Sequence, residues 1–465
     1  MSQNHPLSSL LRQSQNISGL EPAKATDSIV QSIYHTAQKI ARETVQMPGS
    51  RIQNLDRRLD NIFLSRIWGY PVMLILLTMI LWITIIGANY PSSWLASGLF
   101  WLEERLTQGL QFLDAAAWVH GFFIEGVYRS VAWVISVMLP PMAIFFPLFT
   151  LLEDAGYLPR VAFNLDYFFK KAGAHGKQAL TMCMGFGCNA AAIVSCRIID
   201  SPRERLIAAL TNNFTPCNGR FPTLIAMATL FIGGSSLVLG TQLMATLTVA
   251  GFILLGIILT FVLSYFLSRT LLKGEPSSFI LELPPYRSPR IGQVIIRSVM
   301  DRTLFVLARA IIVAAPAGAI TWILANTYID GTSLLSSFAA FLHPFASHMG
   351  LDGFILMAFI LGLPANEIVL PILIMAYVSG GSMMELESLG DLRQLFVVEH
   401  GWTWLTGICF MLFTVCHWPC GTTLYTLQKE QKNAYWTFMA FLLPTCTGIL
   451  LCVSVNYLVQ FMHLL

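Results

Sequence analysis

Charge is scarce in this chain. Asp, Glu, Lys and Arg make up 11% of its 465 residues, where an average soluble domain carries about 25%, and that excludes an ordinary globular protein. A secretory leader is also missing: the first sixty residues are polar and hold no apolar h-region, so the first true span is expected to serve as the membrane anchor. There is no spaced cysteine framework. Eight of the nine cysteines fall in apolar or helix-break sequence, which reads as free thiols rather than disulfides. The net charge of +3 is spread along connecting segments with no basic face interleaved with aromatics, leaving no case for a nucleic-acid partner. GAHGK at 173–177 lacks the spacing of a phosphate loop, and Gln178 stands where the Mg-binding hydroxyl should be, so no nucleotide site or bound cofactor is expected. No nucleophile–base pair or hydrolytic metal motif appears, which makes an enzyme the least favoured class.

What is abundant is apolar sequence, 55% of the chain. Runs such as 70–87 and 237–267 meet the length of about 20 residues needed to cross hydrocarbon, and in lipid such spans must be helices. The bilayer is therefore the first partner. Residues 1–27 read as a disordered leader. Residues 28–46 place Ile29, Ile33, Ala37 and Ile40 at helical spacing, giving an amphipathic helix. Arg51, Arg57, Arg58 and Arg66 then precede the first span, which predicts a cytoplasmic N-terminus. Residues 94–118 are too polar to cross and suit an interfacial helix. A span at 126–152 is kinked at Pro140-Pro141. Interrupted stretches follow at 179–199 and 206–231, then the long span 237–267 and a basic connection, 268–302. The second half repeats the plan, with spans at 303–324, 354–377, 402–425 and 434–458, the middle two broken. About eight crossings are expected, in an all-α, polytopic helical membrane protein with two pseudo-repeated halves.

The repeat is visible residue by residue. G-F-G-C-N-A-A-A-I at 185–193 aligns with G-L-P-A-N-E-I-V-L at 362–370, and each is followed downstream by Pro-Cys, Pro216-Cys217 and Pro419-Cys420. Gly185, Gly187, Pro216, Gly362, Pro364, Asn366 and Pro419 are thus the predicted break positions. Paired interrupted segments at matching places in two halves point to a transporter's binding site, because freed backbone groups at membrane depth need a protein-lined or water-filled cavity.

The chemistry at the breaks points to a metal. Cys188 lies in a Gly-flanked turn and Cys217 between Pro216 and Asn218-Gly219; Cys416, His417 and Cys420 supply the same ligand types in the second half. Thiolate and imidazole suit transition metals better than alkali cations. Glu367 is acidic within an apolar span, a functional residue by default. Asn189 and Asn366 suit both coordination and capping of the resumed half-helices. Cys183, Cys196, Cys409, Cys446 and Cys452 read as small packing residues.

These motifs resemble the membrane part of the FeoB-type ferrous iron transporters, with their paired Gate domains. The matching stretches are LEDAGYLPRVAF (151–163), HGK (175–177), GFGCNAAAI (185–193), PRERL (202–206), CNGRFP (217–222) and GLPANEIV (362–369), and the similarity runs from about residue 55 to the end. Pro216, Ala191 and the Asn212-Asn213 pair depart from the common pattern. The resemblance implies Fe2+ as the transported ion, no permanently bound cofactor, a bacterial inner-membrane location, and an ion path along Cys188, Cys217 and Cys420. With these residues, Asn189, Glu367 and His417 complete the expected metal contacts. Family members usually begin with a GTP-binding domain, and no P-loop occurs here, so GTP hydrolysis is expected from a separate G-domain protein; a small FeoA-like protein and a second copy of the chain are the other partners the resemblance allows. The expected organisation is a cytoplasmic tail (1–66), a first Gate half (67–267), the basic connection (268–302) and a second Gate half (303–465). The alternatives are transport of manganese, zinc, a nucleoside or another solute, or a non-transporting subunit that recruits a GTPase.

Overall fold

In the computed structural model the described residues are 22–44, 59–65, 67–232, 239–274, 286, 290–329, 331–383 and 389–462. The leader before residue 22, Arg51, Arg57, Arg58, Arg66 and most of the basic connection lie outside them. The amphipathic helix appears as α1, Pro22–Thr44. The first half then comprises α2 (Gly69–Phe112), α3 (Ala117–Asp154, π-helical over Gly121–Tyr128), α4 (Tyr157–Lys171), α5 (Gln178–Gly187), α6 (Asn189–Ser195), α7 (Pro202–Thr211), α8 (Phe221–Phe231) and α9 (Leu239–Arg269). A short α10 (Ile291–Arg297) leads into the second half: α11 (Leu304–Asn326), a two-residue β-hairpin, α12 (Leu334–His348), α13 (Gly353–Leu361), α14 (Val369–Val378), α15 (Leu389–Arg393), α16 (Trp404–Cys416), α17 (Gly421–Gln431) and α18 (Ala434–Phe461).

The order long helix, shorter helix, broken pair, broken pair, long helix occurs twice, as α3 to α9 and as α11 to α18. Side-chain caps set the starts of several of these pieces. Ser201 accepts from the Glu204 amide ahead of Pro202, Asp352 accepts from the Ile355 amide at 2.7 Å, and Thr403 accepts from the Thr406 amide. Each cap satisfies an amide that the first turn leaves open. Two glycine-free αL turns, at Ser379 and Lys432, close α14 and α17.

The broken pairs are of two kinds. In α5–α6 the chain turns back at Cys188, because Lys177 at the start of α5 and Asp200 beyond α6 form an ion pair at 2.7 Å. In α13–α14 it turns back near Pro364, since Tyr377 at the end of α14 hydrogen-bonds Asp352 at the start of α13. Both are re-entrant hairpins. By contrast α7–α8 and α16–α17 continue onward, each across a break. Trp402, at the start of the α16–α17 span, donates to Tyr377 at the base of the second hairpin; Arg197, at the base of the first, pairs bidentately with Glu430 at the far end of that span. The two hairpins therefore enter from opposite faces and meet tip to tip. The α7–α8 span runs the other way, from Arg205 beside Ile199 to Phe231 stacked on Trp402.

Among the described residues six helices are long and apolar enough to cross a membrane, or seven if α12–α13, bent by 110°, is one span. The sequence suggested about eight; the apolar runs of the hairpins enter without crossing, and α7 and α8, of 10 and 11 residues, are each too short to be counted. Residues 94–112 also differ from expectation. They continue α2 as one 44-residue helix, about 66 Å long at 1.5 Å per residue and so beyond the roughly 30 Å of hydrocarbon, rather than forming a separate interfacial helix. Glu103 on this extension is buried against Arg129 of α3.

Burial shows which elements are central. Of the most apolar window of α16–α17, 78% is buried, against 11% for α9 and 22% for α18. The interrupted spans sit in the middle, and the long unbroken helices face outward, where lipid satisfies their apolar side chains at no polar cost.

Candidate functional site

Four breaks converge at the centre. The tip of the first hairpin (Gly187, Cys188, Asn189), the α7–α8 break (Cys217 to Gly219), the tip of the second hairpin (Pro364 to Glu367) and Cys420 line one cavity of about 20 Å³, closed on its remaining side by Met138 and Met142 of α3. Of the six expected metal contacts, Cys188, Asn189, Cys217, Glu367 and Cys420 line it. Pro216, Gly185, Gly362 and Pro419 shape the turns without lining it.

His417 stands outside the lining, behind Asn366. Its Nε2 lies 3.2 Å from Asn366 Oδ1, and its Nδ1 lies 3.1 and 2.9 Å from the Phe413 and Thr414 carbonyl oxygens. Asn366 in turn reaches Cys217 Sγ at 3.7 Å. His417 thus fixes the amide that touches the thiol. Asn189 is held in the same way from the first half, by Asn212 Nδ2 at 3.2 Å.

Glu367 reaches the cavity across a glycine. A Cβ on Gly219 would run into the Glu367 carboxylate, so the close approach of the second hairpin to the α7–α8 break depends on that missing side chain. The α16–α17 break is pinned to the second hairpin by the Gly421 amide, which donates to the Leu363 carbonyl oxygen at 2.6 Å.

Arg220 holds the two broken spans together. It is fully buried and donates from Nη1 to the Asn213 and Val415 carbonyl oxygens at 2.9 and 2.8 Å. From Nη2 it donates to Asn213 Oδ1 and to the His417 and Trp418 carbonyl oxygens at 3.1 to 3.2 Å. The last carbonyls of α16 have no helical partner, and a guanidinium at a helix C-terminus also meets the negative end of its dipole. Asn213 Nδ2 adds a bond of 2.7 Å to the His417 carbonyl oxygen. The sequence reading missed Arg220 and treated Asn212-Asn213 as a departure only. The signal for Arg220 was present, a lone ionisable residue inside an apolar segment.

Among the described residues no three Cys, His, Asp or Glu side chains are grouped as a ready set of metal ligands. The thiols and the carboxylate instead ring one small space from four separate elements.

Comparison with known proteins is consistent with this geometry. The Gate family model, described as "Nucleoside recognition", matches residues 135–231, and the model for the "Ferrous iron transport protein B C terminus" matches 249–301. The chain is 26% identical over 424 residues to the Fe(2+) transporter FeoB of Staphylococcus aureus (strain MSSA476), covering 90% of this chain and 61% of that one. It is 27% identical over 410 residues to the Fe(2+) transporter FeoB of a Synechocystis species, covering 87% and 63%. A Porphyromonas gingivalis "Fe(2+) transport protein A/Fe(2+) transporter FeoB fusion protein" is 25% identical over 446 residues, covering 86% and 51%. The chain spans less than two thirds of the length of each of these relatives. No solved structure matches it.

The fold is that of an all-α, polytopic membrane protein with broken helices, and a Gate family match falls within its first half. Over most of its length the chain is similar to the membrane portion of FeoB-type transporters.

Proposed function

We propose that this chain carries ferrous iron across the bacterial cytoplasmic membrane, through the cavity where the four breaks meet. The observation that carries the reading is the composition of that cavity: three thiols, a carboxylate and three side-chain amides from four interrupted elements around about 20 Å³. A cavity holds a water when it offers about 10–15 Å³, so this one takes a single water-sized occupant. That favours an ion over a nucleoside. Thiol-rich lining favours Fe2+ among the biological divalents over Mg2+ or Ca2+.

In this reading Cys188, Cys217 and Cys420, with Asn189 and Glu367, are the transient ligands, and His417 orients Asn366 behind them. The Gate halves 67–267 and 303–465 act as the two mobile units about that point, joined by the basic connection 268–302. The elements around the base of the first hairpin carry Lys170, Lys171, Lys177, Arg197, Arg203 and Lys429 beside Asp166, Asp200, Glu204 and Glu430, whereas those around the base of the second carry Glu103, Glu125 and Asp352 beside Arg129. Excess Lys and Arg mark the cytoplasmic side, which also puts the N-terminal segment there. The Porphyromonas relative is a fusion of an Fe(2+) transport protein A to FeoB, and a small FeoA-like protein is the partner we extend to this chain.

The test is iron-55 uptake by cells or vesicles bearing the wild type or the Cys188→Ser, Cys217→Ser double variant, with and without a soluble FeoB-type G-domain protein. Wild-type uptake that falls at least tenfold in the double variant is expected. Equal uptake by the two would remove the ligand assignment, and no uptake by the wild type under either condition would remove iron as the cargo.

A further inference from the structure

Behind Gly187, on the first-hairpin side of the thiol cavity, packs one aromatic ring. Phe145 of α3 is 1% exposed and lies against Gly187 so closely that a Cβ there would overlap the ring. Gly187 lines the thiol cavity. On its other side Phe145 stacks on Phe149, with centroids 5.8 Å apart and planes at 23°.

Phe149 is the wall of a second space. A chamber of about 240 Å³ lies between the end of α3, the start of α4, the first hairpin and α11; most of its lining is apolar, Phe149 and Met184 among it, and Glu153 and Ser195 are its polar members. Met184 and Ala191, on the two legs of the first hairpin, stand about one turn before and after Cys188, so the chamber flanks the hairpin close to its tip. Glu153 is exposed at its mouth. At about 30 Å³ of liquid volume per water, the chamber of about 240 Å³ has room for an ion with the six or so waters of an octahedral shell, whereas the cavity of about 20 Å³ does not. The ring also has somewhere to go. Phe145 and Phe149 line a third, almost wholly apolar cavity of about 260 Å³ among α2, α3, α4, α5 and α9, so rotating the Phe145 side chain into it costs no burial of a polar group.

We propose that this chamber is a waiting site for a hydrated divalent cation and that Phe145, packed on Gly187, is the gate between it and the thiol cavity. With the ring in place a hydrophobic constriction excludes water and ion alike. With the ring swung into the apolar cavity, the ion exchanges its shell for the thiols. The proposal rests on the reading that an ion passes the break, but not on the ion being iron.

The experiment reads access rather than transport. The full chain in proteoliposomes is treated with a small, positively charged, membrane-impermeant methanethiosulfonate, and modification is followed cysteine by cysteine by peptide mass spectrometry. Wild-type Cys188 should react slowly. Phe145→Ala, and Gly187→Ala through displacement of the ring, should each speed Cys188 modification at least tenfold while leaving Cys452, buried between α16 and α18, at its wild-type rate. Val194→Trp, which fills the chamber without touching the ring, should return Cys188 in the Phe145→Ala background to the slow rate. An unchanged Cys188 rate in both gate variants, a parallel rise at Cys452, or a fast rate that persists with Val194→Trp would overturn the proposal. Fast Cys188 labelling in a protein that moves no iron would leave the gate standing and remove only the cargo.

Discussion

Arg220 and His417 meet across the two broken spans: the Arg220 guanidinium donates to the His417 carbonyl oxygen at 3.2 Å while the His417 ring faces the opposite way, toward Asn366. One residue therefore links the α7–α8 break to the α16–α17 break through its backbone and to the second hairpin through its side chain. A breakage at either point is felt in the cavity.

Arg220→Leu should be among the most destabilising single changes in the chain. It strands the buried carbonyls of Val415 and Trp418, each at a cost of about 1–3 kcal/mol, and leaves the His417 carbonyl to Asn213 alone. Arg220→Lys keeps the charge but loses the planar fork that serves several acceptors at once, so its thermal midpoint in detergent should fall between leucine and wild type. A leucine variant that melts with the wild type would show the guanidinium to be dispensable.

Gly219→Ala should act through Glu367. The added methyl displaces a carboxylate, so uptake should fall about tenfold, and the same substitution should cost far less in a Glu367→Ala background, where the carboxylate is gone. Residues in contact show coupling of about 0.5–3 kcal/mol in such a cycle. Additive effects on the thermal midpoint would mean that the glycine matters for its backbone alone.

Much of this arrangement was legible in the sequence because membrane helices must satisfy their own backbone. Gly185, Gly187, Pro216, Pro364 and Pro419 announced the breaks, and the thiols beside them announced the lining. Composition cannot distinguish a hairpin from a crossing. Residues 179–199 and 354–377 are equally apolar either way, and only the pairing of Lys177 with Asp200 and of Asp352 with Tyr377 shows that the chain returns. His417 looked like a ligand because its residue type fits, and its place behind Asn366 depends on contacts 51 residues apart. Phe145 gave no sign at all, being one aromatic in an apolar helix.

Cadmium should discriminate the thiols from the oxygens of the cavity. A soft cation prefers thiolate, so Cd2+ should inhibit wild-type iron uptake, and Cys217→Ser should raise the half-inhibitory concentration about tenfold, or about 1.4 kcal/mol in binding. Cys446→Ser, at an exposed thiol on α18, should leave it unchanged. Equal inhibition of the Cys217 variant would place cadmium's target elsewhere.

Acid should loosen the base of the first hairpin through His175. This residue is buried in the turn between α4 and α5, and its Nδ1 accepts from the Lys177 amide at 3.0 Å, a bond available only to the unprotonated nitrogen. Burial lowers its pKa from the ordinary 6.5, against the opposing pull of Glu204. The sign follows from linkage: the unfolded chain takes up the proton first, so the contribution of the neutral ring is complete above 6.5 and is lost as pH falls from there to the lower folded value. The thermal midpoint of the wild type in detergent should therefore drop between pH 7.5 and pH 5.5. His175→Gln keeps an acceptor that does not titrate, so its drop over the same interval should be smaller, and equal drops in the two proteins would assign the acid sensitivity to another group.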